Sequence, residues 1–193
     1  MFTEKLILAS GSPRRAEILS AVGWPFEVVR SGIDETRKPD EDPKAYVQRL
    51  ALEKAEAVAS KRQDGLILAA DTTVMVENHL LGQPEDDHDA QRMLKLLSGK
   101  WHEVSTGVAL IRIGGESNLG IETTRVRFAE LSEREIDWYV STGEPRGKAG
   151  AYGIQGKAAL FVEEVSGDYF NIVGLPIRLV YEMIRHQVRT ETR

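Results

Sequence analysis

The sequence contains no cysteine, which excludes disulfides, thiolate nucleophiles and cysteine-ligated zinc together. It has no apolar run approaching the ~20 residues that span a bilayer. Its opening Met-Phe-Thr-Glu-Lys lacks the basic end and apolar stretch of a signal peptide, so the expectation is a soluble, cytoplasmic protein. Neither sign of charge dominates: 25 Lys and Arg face 30 Asp and Glu along the chain, for a net charge of −5. That balance leaves neither a basic stripe for nucleic acid nor a polyanionic tail, and no nucleic-acid or membrane partner is expected. The histidines, His79, His88, His102 and His186, are dispersed without zinc-ligand spacing, and no nucleophile-elbow sequence supports Ser-His-Asp catalysis.

What is present fits one enzyme-sized domain. With 193 residues, no internal repeat and no composition break, residues 1–193 are expected to form a single domain. Lys5 to Ala9 reads as a strand, and Ser12 as N-cap with Pro13 in the first turn predicts a helix closing at Gly23. A second strand is predicted over Phe26 to Arg30, then a polar loop from Gly32 to Asp42. A helix from Pro43 to about Arg62 follows, with Tyr46, Val47, Leu50, Ala51 and Val58 on one side. Leu66 to Ala70 is uniformly apolar, as in a strand buried on both faces, and Asp71 is expected to end it.

Thr73 to Glu77 reads as a hairpin arm, followed by a helix around Ala90 to Leu97 that stops at Gly99. Glu103 to Ile113 and Leu119 to Phe128 read as a long antiparallel pair about Gly114-Gly115. Ser132 with Glu135 makes a capping box for a helix ending near Thr142. A strand is predicted at Ala158 to Glu164, a last helix opens at Pro176, and the charged tail after His186 is expected to fray. The simplest architecture is an α/β fold, a mixed sheet with helices on both faces.

Three groups of residues carry chemistry. In Ser10-Gly11-Ser12-Pro13-Arg14-Arg15 a strand runs into a helix start beside two guanidinium groups. Free N–H groups, the positive end of the helix dipole and bidentate arginines all suit a phosphate there. The plainer reading, an ordinary capped helix with solvated arginines, fits those six residues equally well. The second group is a set of carboxylates, Glu35 in the polar loop, Asp71 after the apolar strand and Asp86 after Gln83-Pro84. Near phosphate they suit Mg²⁺, which takes one or two protein oxygens together with substrate oxygens. Asp71 is either a strand-ending turn residue or a functional group on a rigid scaffold. The third is the glycine-rich span Lys148 to Gly156, read either as a tight, purely structural turn or as a segment whose glycines allow close backbone approach to a ligand and whose Gln155 offers an amide donor and acceptor to a base edge.

Taken in order, Leu8-Ala9-Ser10-Gly11-Ser12-Pro13-Arg14-Arg15, Ala70-Asp71-Thr72, Lys148-Ala149-Gly150-Ala151-Tyr152-Gly153-Ile154-Gln155-Gly156 and Gly174-Leu175-Pro176 resemble the Maf family over nearly the whole chain. The resemblance implies a fold similar to inosine triphosphatase, with a nucleoside triphosphate in a cleft between two lobes, and commonly a homodimer. It implies hydrolysis of dTTP and UTP to monophosphate and pyrophosphate with Mg²⁺ or Mn²⁺, and a link to arrest of cell division. By position, Asp71 matches the family's proton acceptor, and Arg14, Thr72 and Gln155 match the positions associated with substrate choice. Ser10, Arg15, Glu35, Lys54 and Asp86 match further polar positions, with Glu35, Asp71 and Asp86 expected at the metal. One departure stands out: Gln83 occupies the lysine position of the family's Gly-Lys-Pro pattern, and a neutral amide does not neutralise phosphate charge. A nucleotide-binding regulator with little turnover, or a pyrophosphatase for 7-methyl-GTP or other modified nucleotides, are the alternative readings.

Overall fold

The structure, a computed structural model, describes residues 5–190; residues 1–4 of the opening segment and 191–193 of the charged tail lie outside the described residues. In chain order the elements are β1 (Leu6–Leu8), α1 (Pro13–Ala21), β2 (Phe26–Val28), α2 (Pro43–Ala59), β3 (Leu66–Val76), β4 (His79–Leu81) and α3 (Asp87–Leu97). They continue with β5 (Trp101–Arg112), β6 (Ser117–Phe128), α4 (Glu133–Ser141), 3-10 turns at Ala149–Ala151 and Lys157–Phe161, β7 (Val162–Ser166), α5 (Tyr169–Val173) and α6 (Ile177–Thr190). The strands are hydrogen-bonded in the order β2-β1-β3-β5-β6-β7, with β4 pairing β3. β2 and β3 run parallel to β1, whereas β4 is antiparallel to β3 and β7 to β6, so the α/β fold has the mixed sheet that the sequence predicts.

The chain divides into two compact units, one of Met1–Asp71, Thr106–Glu122 and Gly174–Arg193, the other of Thr72–Ser105 and Thr123–Val173. In the first, Ile7, Ala9, Ile67, Ala69 and Ala109 from the strands and Ala51, Ala55 and Val58 from α2 form one buried cluster. The small residues bring helix and strands close. A Cβ on Gly107 would stand 2.4 Å from the Val47 carbonyl oxygen, so only glycine admits α2 at that distance. Asp42, the exposed last residue of the polar loop, also caps α2, its carboxylate accepting from the Lys44 and Ala45 N–H groups at 2.9 and 3.1 Å.

The sequence reading differs most at β3, which does not end at Asp71 but runs on to Val76; the expected hairpin arm is present as the end of this same strand, Val74 to Val76 pairing antiparallel with β4. An acidic residue inside a strand costs little when its charge is met, and Lys54 from α2 meets it. In the second unit the predicted capping box of α4 is present, Ser132 Oγ accepting from Glu135 N–H while Ser132 N–H donates to the Glu135 carboxylate. The strand expected at Ala158 to Glu164 is a 3-10 turn followed by β7. Leu160 is 76% exposed while Ala158 and Phe161 are buried, the three-residue spacing of a 3-10 helix and not the alternation of a strand. α6 continues beyond His186 to Thr190, where fraying was expected.

Candidate active site

The Ser10 to Arg15 segment folds as the sequence suggests but with its polar groups rearranged. Ala9 N–H donates to the Leu68 carbonyl at 2.8 Å, which ties the end of β1 to β3, and Pro13 opens α1. Ser12 sits at the N-cap position but its hydroxyl makes no cap. Ser10 Oγ does the work instead, accepting from Ser12 N–H at 3.2 Å and from Arg15 Nη1 at 2.9 Å. Arg15 is buried, and its Nε donates to the Gly174 carbonyl at 2.8 Å. That bond gives the Gly174-Leu175-Pro176 motif a role: it fixes one edge of the guanidinium while Ser10 fixes another, so the solvated-arginine reading fails for Arg15. Arg14 is half-buried beside it. Burial lowers the pKa of the Arg15 guanidinium, while Asp71 opposes that shift and Arg14 adds to it.

Asp71, only 8% exposed in mid-strand, is not a turn residue. Its Oδ1 lies 2.6 Å from Lys54 Nζ, and the same ammonium lies 3.0 Å from Glu35 Oε1. Lys54 is itself 6% exposed. The sequence carried a signal for this: Val47, Leu50, Ala51, Lys54, Ala55 and Val58 form the buried stripe of α2, and a lysine on an apolar stripe calls for a buried partner. Burial raises the Asp71 carboxyl above its ordinary value; Lys54 and Arg15 pull it back and Glu35 pushes it up. A carboxyl in that balance is poised to exchange a proton.

Glu35 stands on a loop without regular structure, and two α2 residues that the motif reading missed hold it. Tyr46 Oη donates to the Glu35 carbonyl at 2.9 Å. Arg49 pairs with Glu41 at 2.6 and 2.7 Å, with Glu53, and donates to the Thr36 carbonyl. Arg49 lowers the Glu41 carboxyl to about 2. Asp34 binds the Thr36 N–H and hydroxyl, which closes the loop locally. Side chains that reach back eight to thirteen residues to support a loop leave no sequence motif.

Ser10, Arg15, Glu35, Lys54 and Asp71 thus belong to the first unit, and Thr72, Asp86 and Gln155 to the second. Thr72 follows Asp71 on β3 and turns to the opposite face. Asp86 is exposed and caps α3, its Oδ1 accepting from Asp89 N–H at 2.7 Å. Among the described residues no group of three or more His, Asp or Glu is arranged to hold a metal ion, so the expected trio of Glu35, Asp71 and Asp86 is not preformed as a cluster. Gln83 is exposed between β4 and α3, and Gln155 is exposed on the glycine-rich span. The glycines of that span approach protein, not open space: a Cβ on Gly150 would meet the Val74 side chain at 3.0 Å, and one on Gly156 the Glu144 carboxylate at 2.1 Å. Tyr152 is buried in this unit, its hydroxyl 2.8 Å from His102 Nε2.

Residues 5–187 match the family described as Maf-like protein. A dTTP/UTP pyrophosphatase of Symbiobacterium thermophilum is 50% identical over 181 residues, 94% of this chain and 93% of that one. One from Bacillus cereus is 51% identical over 181 residues, 93% of this chain and 89% of that one. The solved structure of the Staphylococcus aureus Ham1 protein aligns with a TM-score of 0.54 over 95% of this chain and 100% of its own, at 10% identity, which shows a shared fold. No described helix is long and apolar enough to cross a membrane. With the family match spanning nearly every described residue and relatives half identical along the chain, the protein belongs to the Maf-like family.

Proposed function

We propose that the protein hydrolyses dTTP and UTP to the monophosphate and pyrophosphate, using Asp71 as the base. The observation that carries this reading is the convergence of Asp71 and Glu35 on Lys54, with Arg15 anchored within electrostatic reach. The substrate comes from the relatives, which are named for dTTP and UTP. Asp71 takes the proton of a water as that oxygen bonds to the α-phosphorus; the bond from that phosphorus to the bridging oxygen breaks, and its electron pair leaves with pyrophosphate. Arg14, Arg15 and Lys54 hold the phosphates and offset the charge that develops on them. Because Arg15 already binds Ser10 and Gly174, it acts on phosphate from a fixed place and loses little side-chain freedom on binding.

A divalent cation, Mg²⁺ or Mn²⁺, fits the residues of the first unit. Two carboxylates already converge on one cationic point, and such ions take one or two carboxylates with substrate oxygens and water. Glu35 and Asp71 would hold it, and it would supply neutralisation of phosphate charge. Asp86 enters as a ligand, and Thr72 and Gln155 as determinants of base choice, on the family resemblance. A homodimer is part of the proposal, supported by the exposed Leu160, Val165, Tyr169 and Phe170 of the second unit, and sedimentation checks it. A free-nucleotide substrate suits the cytoplasm.

The test is pyrophosphate release from dTTP, UTP, CTP, GTP and 7-methyl-GTP with Mg²⁺ or Mn²⁺ and after chelation. Preference for dTTP and UTP that vanishes on chelation is the expected result. Tight nucleotide binding without release from any of them favours the second reading, a binding regulator of cell division, for which Gln83 in place of lysine is the specific observation.

A further inference from the structure

The loop that carries Gln155 is braced by two side chains that neither the resemblance nor the motif reading assigns. Gly153 N–H donates to Tyr139 Oη at 3.2 Å, and Lys157 N–H donates to both oxygens of Glu144 at 3.0 and 3.1 Å. Tyr139 Oη in turn donates to Glu144 Oε1 at 3.1 Å, so one connected pair grips the chain two residues before and two residues after Gln155. Gly156 N–H closes the loop onto the Gly153 carbonyl at 2.9 Å.

The brace is itself firmly seated. Tyr139 is fully buried on α4 and packs edge-on against Phe161, ring centroids 5.3 Å apart. The Glu144 side chain is 16% exposed, its N–H donates to Thr142 Oγ1 at 3.2 Å, and its carbonyl accepts from Lys148 Nζ. A Cβ at residue 156 would sit 2.1 Å from Glu144 Oε1 and 2.5 Å from Cδ, so glycine there is dictated by the carboxylate.

A glutamine needs such support more than most base-reading groups. Its amide matches uracil or thymine by donating to O4 and accepting from N3–H; turned by half a revolution, it presents the reversed pattern that suits cytosine. It separates these bases only when its place at the base edge is fixed, and that begins with a fixed backbone beneath it. We propose that Glu144 and Tyr139 are positioning residues for base selection, bracing the 153–157 loop so that Gln155 selects uracil and thymine over cytosine. This rests on the reading of Gln155 as the base-selecting residue.

The experiment compares kcat/KM for UTP and CTP in wild type, Glu144→Gln, Tyr139→Phe, Gln155→Ala and the double variant Glu144→Gln with Gln155→Ala, with folding checked by thermal unfolding. In Glu144→Gln and Tyr139→Phe the preference for UTP should fall about tenfold, chiefly through KM for UTP. The double variant should show the preference of Gln155→Ala alone, because both changes act through one amide. A merely structural role would slow both nucleotides by the same factor; that result, or losses of preference that multiply in the double variant, overturns the proposal. If Gln155→Ala loses the preference and Glu144→Gln keeps it, the brace alone is refuted. If Gln155→Ala keeps the preference, the reading of Gln155 fails and the brace with it. Where Tyr139→Phe does not fold, Glu144→Gln, which retains the shape of the side chain, decides.

Discussion

Acidification should destabilise the second unit through a single imidazole, His102. It is 2% exposed, packs edge-on against Phe128 and Tyr152, and shares a hydrogen bond with Tyr152 Oη. Burial lowers its pKa from about 6.5 to about 4, so it is neutral in the folded protein. Between those values the unfolded chain binds a proton that the folded one excludes. Stability from this group is therefore complete above about pH 6.5 and drains away as the pH falls toward about 4. At about 1.4 kcal/mol for each pH unit, the full window is worth about 3 kcal/mol. The perturbation is His102→Leu, which removes the titration. It also deprives Tyr152 Oη of its partner, a cost of about 1–3 kcal/mol that is the same at every pH in the window. Urea unfolding at about pH 7 and about pH 4.5, followed by the fluorescence of Trp101 and Trp138 in a Trp24→Phe background, should show the protein losing more than its His102→Leu variant by about 2–3 kcal/mol. Equal losses in the two proteins would refute the reasoning.

Three further outcomes are expected from the proposed active site. Asp71→Asn should still bind dTTP in titration calorimetry but lose about 10²–10⁴ of its turnover, and normal turnover would remove Asp71 from the base role. In Lys54→Met the strongest charge holding the Asp71 carboxyl down is gone, so its pKa rises further. The acid limb of kcat/KM should then move to higher pH, while an unmoved limb would mean that another group is the base. Gln83→Lys should raise kcat/KM by roughly threefold to tenfold at low ionic strength, with the gain shrinking as salt is added; no gain at any ionic strength would show that the neutral amide is no handicap.

Local signals were read correctly where local physics decides. Pro13 and Pro43 open α1 and α2, and Ser132 and Glu135 close the capping box of α4, because each acts on backbone within one helical turn. The end of β3 was misplaced because Asp71 looks like punctuation until Lys54, seventeen residues away, is seen to neutralise it. Ser12 sits at the N-cap without capping α1, and its own N–H is met by the Ser10 hydroxyl, which also accepts from Arg15, itself held by Gly174. The glycines of the 148–156 span were read as sites of close approach to a ligand, whereas what approaches at Gly156 is Glu144, a residue outside the motif. Motifs name the residues that chemistry needs; the supports that aim them lie wherever the fold brings them.

Neither unit is one continuous stretch of chain: the path crosses between them after Asp71, Ser105, Glu122 and Val173. This sets a timetable for assembly. The Arg15 to Gly174 hydrogen bond spans 159 residues, so during synthesis the arginine emerges long before the carbonyl that anchors it. At about 5–20 residues per second, that wait lasts roughly ten to thirty seconds. Contacts so distant in sequence slow folding, because the loop must close before its contacts reward it. A nascent chain that stalls before Gly174 therefore carries every proposed catalytic residue yet leaves Arg15 without its backbone anchor. Synthesis through Gly174 is what completes the proposed catalytic centre.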